Sequence, residues 1–371
     1  MALPKLTIGK ITLDVPIIQG GMGVGISWEN LAGAVAKEGA MGVVSAVGTG
    51  YRFPELVKTD KFGRPIGPEN THSKEALTRI IKKAKEISQG RGAIGVNILC
   101  AITDYGRMVR DAVEAGADAI ISGAGLPLKL PEYVKGKDIA LIPIISSARA
   151  LKLICQTWEK RYQRLPDAVV LEGPLSGGHQ GFHKEDCFKK GFQLESLLPE
   201  VLEEAKNWGD LKVIVAGGVW SYQDIKRYIE MGAAGVQIAT RFICTYECDA
   251  PQIYKEVLLK AKPEDIILIT SPVGYPLRVV KTPFIEKFLA GYKDFKGCVS
   301  NCLTPCKKGE KASQVGFCIA EKLSAAWLGN YEEGIFISGA NGYRLKKQGI
   351  ISVKDLIAIL TGEKEDPTLQ D

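Results

Sequence analysis

Eight short β-branched runs divide the first two thirds of the chain at regular intervals: "VPIIQ", "GVVSAV", "AIGVNIL", "DAIISG", "IALIPIIS", "DAVVLEG", "KVIVAGG" and "GVQIAT". Between them lie segments with helical apolar spacing, such as "WENLAGAVAKEG", "TDYGRMVRDAVEAGA" and "YQDIKRYIEMGA". Several of these close on Gly, as helix C-termini do. The strands are apolar on both faces and must be covered on both, which a parallel sheet wrapped in helices achieves. Eight alternations predict a closed (β/α)8 barrel, the TIM barrel. An open doubly wound sheet also alternates strand and helix, but it would rarely carry a glycine cluster after several different strands. The barrel is expected over residues 1–249. Past residue 250 the alternation stops, and residues 250–371 are expected to form a small C-terminal helical lid that completes the active site. Residues 49–72, rich in Pro, Gly and charge, are expected as a long loop on the catalytic rim.

A chain of 371 residues with 46% hydrophobic content can bury a large core. Its net charge of +6 arises from 48 basic and 42 acidic residues without a basic stripe, so nucleic acid is excluded as a partner. No apolar run reaches the roughly 20 residues of a membrane span, and "MALPKLTIGK" lacks signal-peptide form. The sequence therefore predicts a cytoplasmic protein without a membrane partner, and a homo-oligomer is compatible with it. Nine cysteines, an odd number in a long chain, do not form a secreted disulfide framework.

A barrel of this type holds its ligand at the C-terminal strand ends, with phosphate commonly gripped after strands seven and eight. Those ends read "VAGGVWS" and "VQIATRF". Gly217 and Gly218 allow close backbone approach to phosphate, and a helix starting near Thr240 would aim its N–H groups at the same anion. The first loop, "IIQGGMGVGIS", invites a dinucleotide reading, but the acidic residue required at the end of the second strand is missing. A glycine-rich loop there instead lets backbone lie flat against a planar ring. Asn97 is a polar side chain at the end of the third strand.

In order and spacing, "PIIQGGMG", "GVN", "GGHQG", "VAGGV", "QIATRF" and "TSPVGYPLR" resemble the nitronate monooxygenase family, formerly the 2-nitropropane dioxygenases, and its relative the flavin-dependent enoyl-ACP reductase. The resemblance implies FMN across the strand ends. Gly21, Met22 and Gly23 would then meet the isoalloxazine edge, Asn97 would hydrogen-bond it, and Gly177 and Gly178 would touch it from the sixth loop. Gly217, Gly218, Gln237, Ala239 and Thr240 would hold the phosphate. Two positions depart from the family pattern. Glu172 stands where Gln is usual and would add negative charge beside the flavin. Ala239-Thr240 replaces Gly-Thr, which still leaves a backbone N–H.

In the family, the histidine matching His179 is associated with catalysis; a residue of this type accepts a proton or, when charged, holds an anion. His183 lies outside the matched motif. The implied reaction is oxidation of an alkyl nitronate with O2, the anion being drawn in by a cationic His179 and by Arg278. The alternatives are an NAD(P)H-dependent flavin reductase of the enoyl-ACP reductase type, a flavin-free sugar-phosphate isomerase or lyase, and a non-catalytic flavin-binding protein. Cys298, Cys302, Cys306 and Cys318 could ligate a [4Fe–4S] cluster or zinc. Because the first gap holds three residues where iron–sulfur flavoenzymes have two, the sequence predicts no metal and reduced thiols in the lid.

Overall fold

In the computed structural model, residues 3–369 are described. A short hairpin comes first, β1 (Leu6–Ile8) and β2 (Ile11–Leu13). The barrel follows: β3 (Ile17–Gln19), β4 (Met41–Ser45), β5 (Ala93–Leu99), β6 (Ala119–Gly123), β7 (Ala140–Ile145) and β8 (Val169–Glu172). After the two-residue β9 (Gly178–His179), which stands outside the barrel, come its last strands, β10 (Val213–Ala216) and β11 (Gly235–Ile238). These eight parallel strands close through the pairing of β11 with β3, where Val236 sits opposite Ile17. Each run expected to be a strand supplies one stave, and closure rules out the open sheet.

Alternation along each strand sets what faces inward. Ile18, Met41, Val43, Ile121, Ile142, Val170 and Ile214 fill the barrel, and Leu6, Ile8 and Leu13 of the hairpin join that cluster. Val44, Val96, Leu171, Val215 and Val236 face the surrounding helices. One step further along, the same period turns Asn97, Glu172 and Gln237 toward the interior at the C-terminal strand ends. Register places Glu172 opposite Ala216, and Ala216 opposite Gln237. The small side chain between two large polar ones leaves open space above the core.

Beyond residue 250 the chain is not purely helical. β12 (Ile266–Thr270) and β13 (Pro276–Val280) form an antiparallel hairpin whose second strand pairs with β9, so the long sixth loop is tied to the tail. The signal was present in "IILITSPVGYPLRVV", two β-branched runs around a Gly-containing turn. Among the described residues no helix is long and apolar enough to cross a membrane.

Candidate active site

A cavity of about 490 Å³ opens at the C-terminal ends of the barrel strands, within the roughly 300–1,000 Å³ of small-molecule sites. Apart from Arg278, the residues expected in the site line it: Gly21, Met22, Gly23, Asn97, Glu172, Gly177, Gly178, His179, Gly217, Gly218, Gln237, Ala239 and Thr240. The tail adds Tyr254, Tyr275, Leu277, Ile337 and Asn341.

At one end, the first loop lies directly over Asn97. A Cβ on Gly21 would fall 2.4 Å from the Asn97 Cβ, so only glycine permits this approach. Asn97 is 7% exposed, and none of the described residues hydrogen-bonds its amide. At the other end, Gly217 and Gly218 hold consecutive left-handed conformations, φ 90 and 100, which glycine adopts at little cost and which let the backbone approach a ligand closely. Thr240 Oγ1 accepts a 3.0 Å hydrogen bond from the Gly339 amide, and Asn341 donates to the Gly218 carbonyl at 3.0 Å. The helix beginning at Thr240 ends at Ile243. A single turn carries little dipole, so the glycine backbone, rather than the expected helix terminus, is what favours an anion here. Gln237 Oε1 is buried without a partner among the described residues, a cost a protein retains when something outside the chain satisfies the group.

His179 sits on β9, opposite Leu277 of β13, and its Nε2 lies 2.7 Å from Ser271 Oγ. Gln180 closes the same loop, donating from its amide nitrogen to the carbonyls of Ser176 and Gly178, both at 3.0 Å. Burial pulls the His179 pKa down to about 4, so the ring is neutral at pH 7. This corrects the expectation of a cationic anchor. Burial also lifts Glu172 to about 7. Its carboxyl is therefore partly protonated at neutral pH, and the fixed negative charge expected beside the flavin is only partial.

Arg278 does not meet the cavity. It is 4% exposed and donates to the carbonyls of Ser176 at 3.0 Å and Pro174 at 2.7 Å. It clamps the loop that carries His179 and is not the expected substrate anchor. Arg241 borders the cavity but is engaged by Asp366 and Gln348.

Sequence reasoning passed over the third histidine. His72, at the end of the long second loop, is buried at 1% exposure and lines the cavity. The Gly48 amide donates to its Nδ1 at 3.2 Å, which leaves Nε2 carrying the hydrogen and donating to the Cys302 carbonyl at 3.2 Å. The signal was its place at the close of a rim loop. Ser271 gave no such signal, since its partnership with His179 exists only once β13 pairs with β9.

A model of the family described as nitronate monooxygenase matches residues 5–363. The chain is 26% identical over 285 residues to the (3aS,4S,5R,7aS)-5-hydroxy-7a-methyl-1-oxo-octahydro-1H-indene-4-carboxyl-CoA dehydrogenase of Mycobacterium tuberculosis, covering 76% of this chain and 67% of that one. It is 25% identical over 287 residues to a probable nitronate monooxygenase of Bacillus subtilis, covering 75% and 80%. Among solved structures it resembles FabK from Thermotoga maritima, with a TM-score of 0.70 at 23% identity over 95% of this chain and 93% of that one. Nitroalkane oxidase from Streptomyces ansochromogenes superposes with a TM-score of 0.65 at 18% identity, covering 95% and 96%.

Proposed function

Since the chain belongs to the nitronate monooxygenase family and is a flavin-dependent oxidoreductase, we propose that it binds FMN in the strand-end cavity and oxidises a small alkyl nitronate with O2. The observation that carries the cofactor assignment is a cavity with a flat glycine floor at Gly21 and a left-handed glycine pair at Gly217 and Gly218 at its far end. That layout suits one planar ring and one terminal phosphate. Asn97 and Gln237, unsatisfied by protein, would hydrogen-bond the cofactor, and the backbone of Gly217, Gly218, Ala239 and Thr240 would take the phosphate. FMN, when bound, supplies the electron acceptor for the substrate and passes the electrons to O2.

The chain's own part is to position the substrate and manage protons. His179 is a neutral ring whose orientation is fixed by Ser271 and by the β9–β13 pairing. A neutral imidazole has one donor and one acceptor. Ser271 takes one, and the other hydrogen-bonds the substrate. Glu172, with a pKa near 7 at the floor of the cavity, can hold or release a proton at neutral pH.

A second reading, hydride transfer from a nicotinamide, is supported by the 26% identity to a relative named as a dehydrogenase. Among the described residues, the only Lys or Arg lining the cavity is Arg241, which is paired with Asp366, so no side-chain cation there is free to attract an anionic substrate of either kind. Heat-released cofactor identified by mass spectrometry tests the first assignment, and FAD in place of FMN overturns it. Anaerobic mixing with NADH tests the reaction. Rapid bleaching of the flavin by stoichiometric NADH would replace nitronate oxidation with the reductase reading.

A further inference from the structure

Cys298, Cys302, Cys306 and Cys318 line a second, smaller cavity, and all four are free of disulfides. The four share the lining of a cavity of about 20 Å³, room that thiols packed only as small hydrophobes would not leave. The loop that presents them is stapled to the barrel rim. The Cys302 carbonyl accepts from Thr103 N at 3.0 Å and from His72 Nε2 at 3.2 Å, the Gly67 amide donates to the Val299 carbonyl at 2.9 Å, and Ser300 Oγ donates to the Pro65 carbonyl at 2.8 Å. Asn301 takes a left-handed conformation, φ 43, and its amide donates to Cys298 Sγ at 3.4 Å. That turn absorbs the additional residue between Cys298 and Cys302, so the longer gap no longer argues against a common ligand.

We propose that Cys298, Cys302, Cys306 and Cys318 ligate a [4Fe–4S] cluster. A single zinc ion needs its sulfurs at about 2.3 Å from one point, and among the described residues no three His, Cys, Asp or Glu side chains are grouped to hold one ion. A cuboidal cluster seats each thiolate on its own iron and so accommodates a wider ring of sulfurs around a hollow. The N–H···S contact to Cys298 is of the kind that stabilises ligating sulfur. Lys308 also lines the cavity, as does Arg64, whose charge is taken by Asp60 and by Glu321 of the same lining. Cys302, Leu303, Ile319, Ala320 and Tyr51 border both this cavity and the large one, so the cluster is separated from the flavin cavity by a shared wall. The site does not depend on which reductant the large cavity takes.

Protein produced and purified without oxygen tests this directly. About four iron and four acid-labile sulfide per chain are expected, with an electron paramagnetic resonance signal appearing on dithionite reduction. The double variant Cys298→Ser/Cys306→Ser, at partly exposed positions, should lose the iron and sulfide while retaining flavin and its circular dichroism spectrum. The parent protein lacking iron and sulfide, or carrying stoichiometric zinc instead, overturns the proposal without reference to any variant. A full iron complement in the double variant overturns the ligand assignment.

Discussion

Replacing His179 by Asn separates a residue that handles substrate from one that merely shapes a loop. The fall of its pKa from 6.5 to about 4 is worth at most roughly 3 kcal/mol against the charged ring. At pH 7, then, on the order of one ring in a thousand is protonated, and charge attraction is not what the variant removes. What it removes is the 2.7 Å contact with Ser271, worth roughly 1 kcal/mol to stability, and the hydrogen-bonding and proton-handling capacity of the ring toward substrate. The backbone pairing of β9 with β13 is untouched, and the predicted flavin contacts come from other residues. The expected outcome is a fall in kcat/KM of roughly 10²- to 10⁴-fold with flavin content equal to the parent's. His183→Asn, at an exposed loop position, should match the parent in both. The parent's kcat/KM should show an inflection near pH 7 that belongs to Glu172 and vanishes in Glu172→Gln. Near-normal turnover of His179→Asn with flavin retained would refute the reasoning. So would an inflection that survives in Glu172→Gln and disappears in His179→Asn.

Gly21→Ala places a methyl 2.4 Å from the Asn97 Cβ on a barrel strand; flavin content should fall sharply with circular dichroism unchanged, and full occupancy would contradict the cradle. Arg278→Met strands the buried carbonyl of Pro174 and leaves that of Ser176 to Gln180 alone, and should cost roughly 1–3 kcal/mol in urea unfolding; a change under about 0.5 kcal/mol would mean that the clamp does not hold the loop. Because no unpaired Lys or Arg among the described residues lines the cavity, kcat/KM for an anionic nitronate should be nearly independent of ionic strength, and a steep decline with salt would expose a missed cation. His72 and His179, both lowered to about 4 by burial, confer stability that is complete above pH 6.5 and is lost as pH falls toward 4. Glu172, raised to about 7, acts oppositely, since the folded state holds its proton more tightly and stability falls as pH rises from 4.5 to 7. Glu172→Gln should therefore lose stability between pH 7 and pH 5 more steeply than the parent, and equal shifts in the urea midpoints would contradict these assignments.

The barrel was legible because its signal is local: each strand is a β-branched run, and several helices end at a glycine such as Gly116 or Gly232 in a left-handed conformation. Asn97, Glu172 and Gln237 could be placed because a period of two at a strand end determines the inward face. The properties that depend on burial could not be read in the same way. That His179 is neutral follows from its enclosure, and that Arg278 turns away follows from the two carbonyls it meets, neither of which has a sequence signature. The tail was the least legible part. β12 and β13 read as tail because β13's non-hairpin partner, the two-residue β9, lies about a hundred positions earlier.

The most direct measurement of the central claim is an anaerobic spectral titration of the flavin-loaded protein with propyl-2-nitronate and, separately, with NADH. Reduction of the flavin by the nitronate, reoxidation on admitting O2 and little change with NADH are expected. A flavin that NADH bleaches at once while the nitronate leaves its spectrum untouched would contradict that claim.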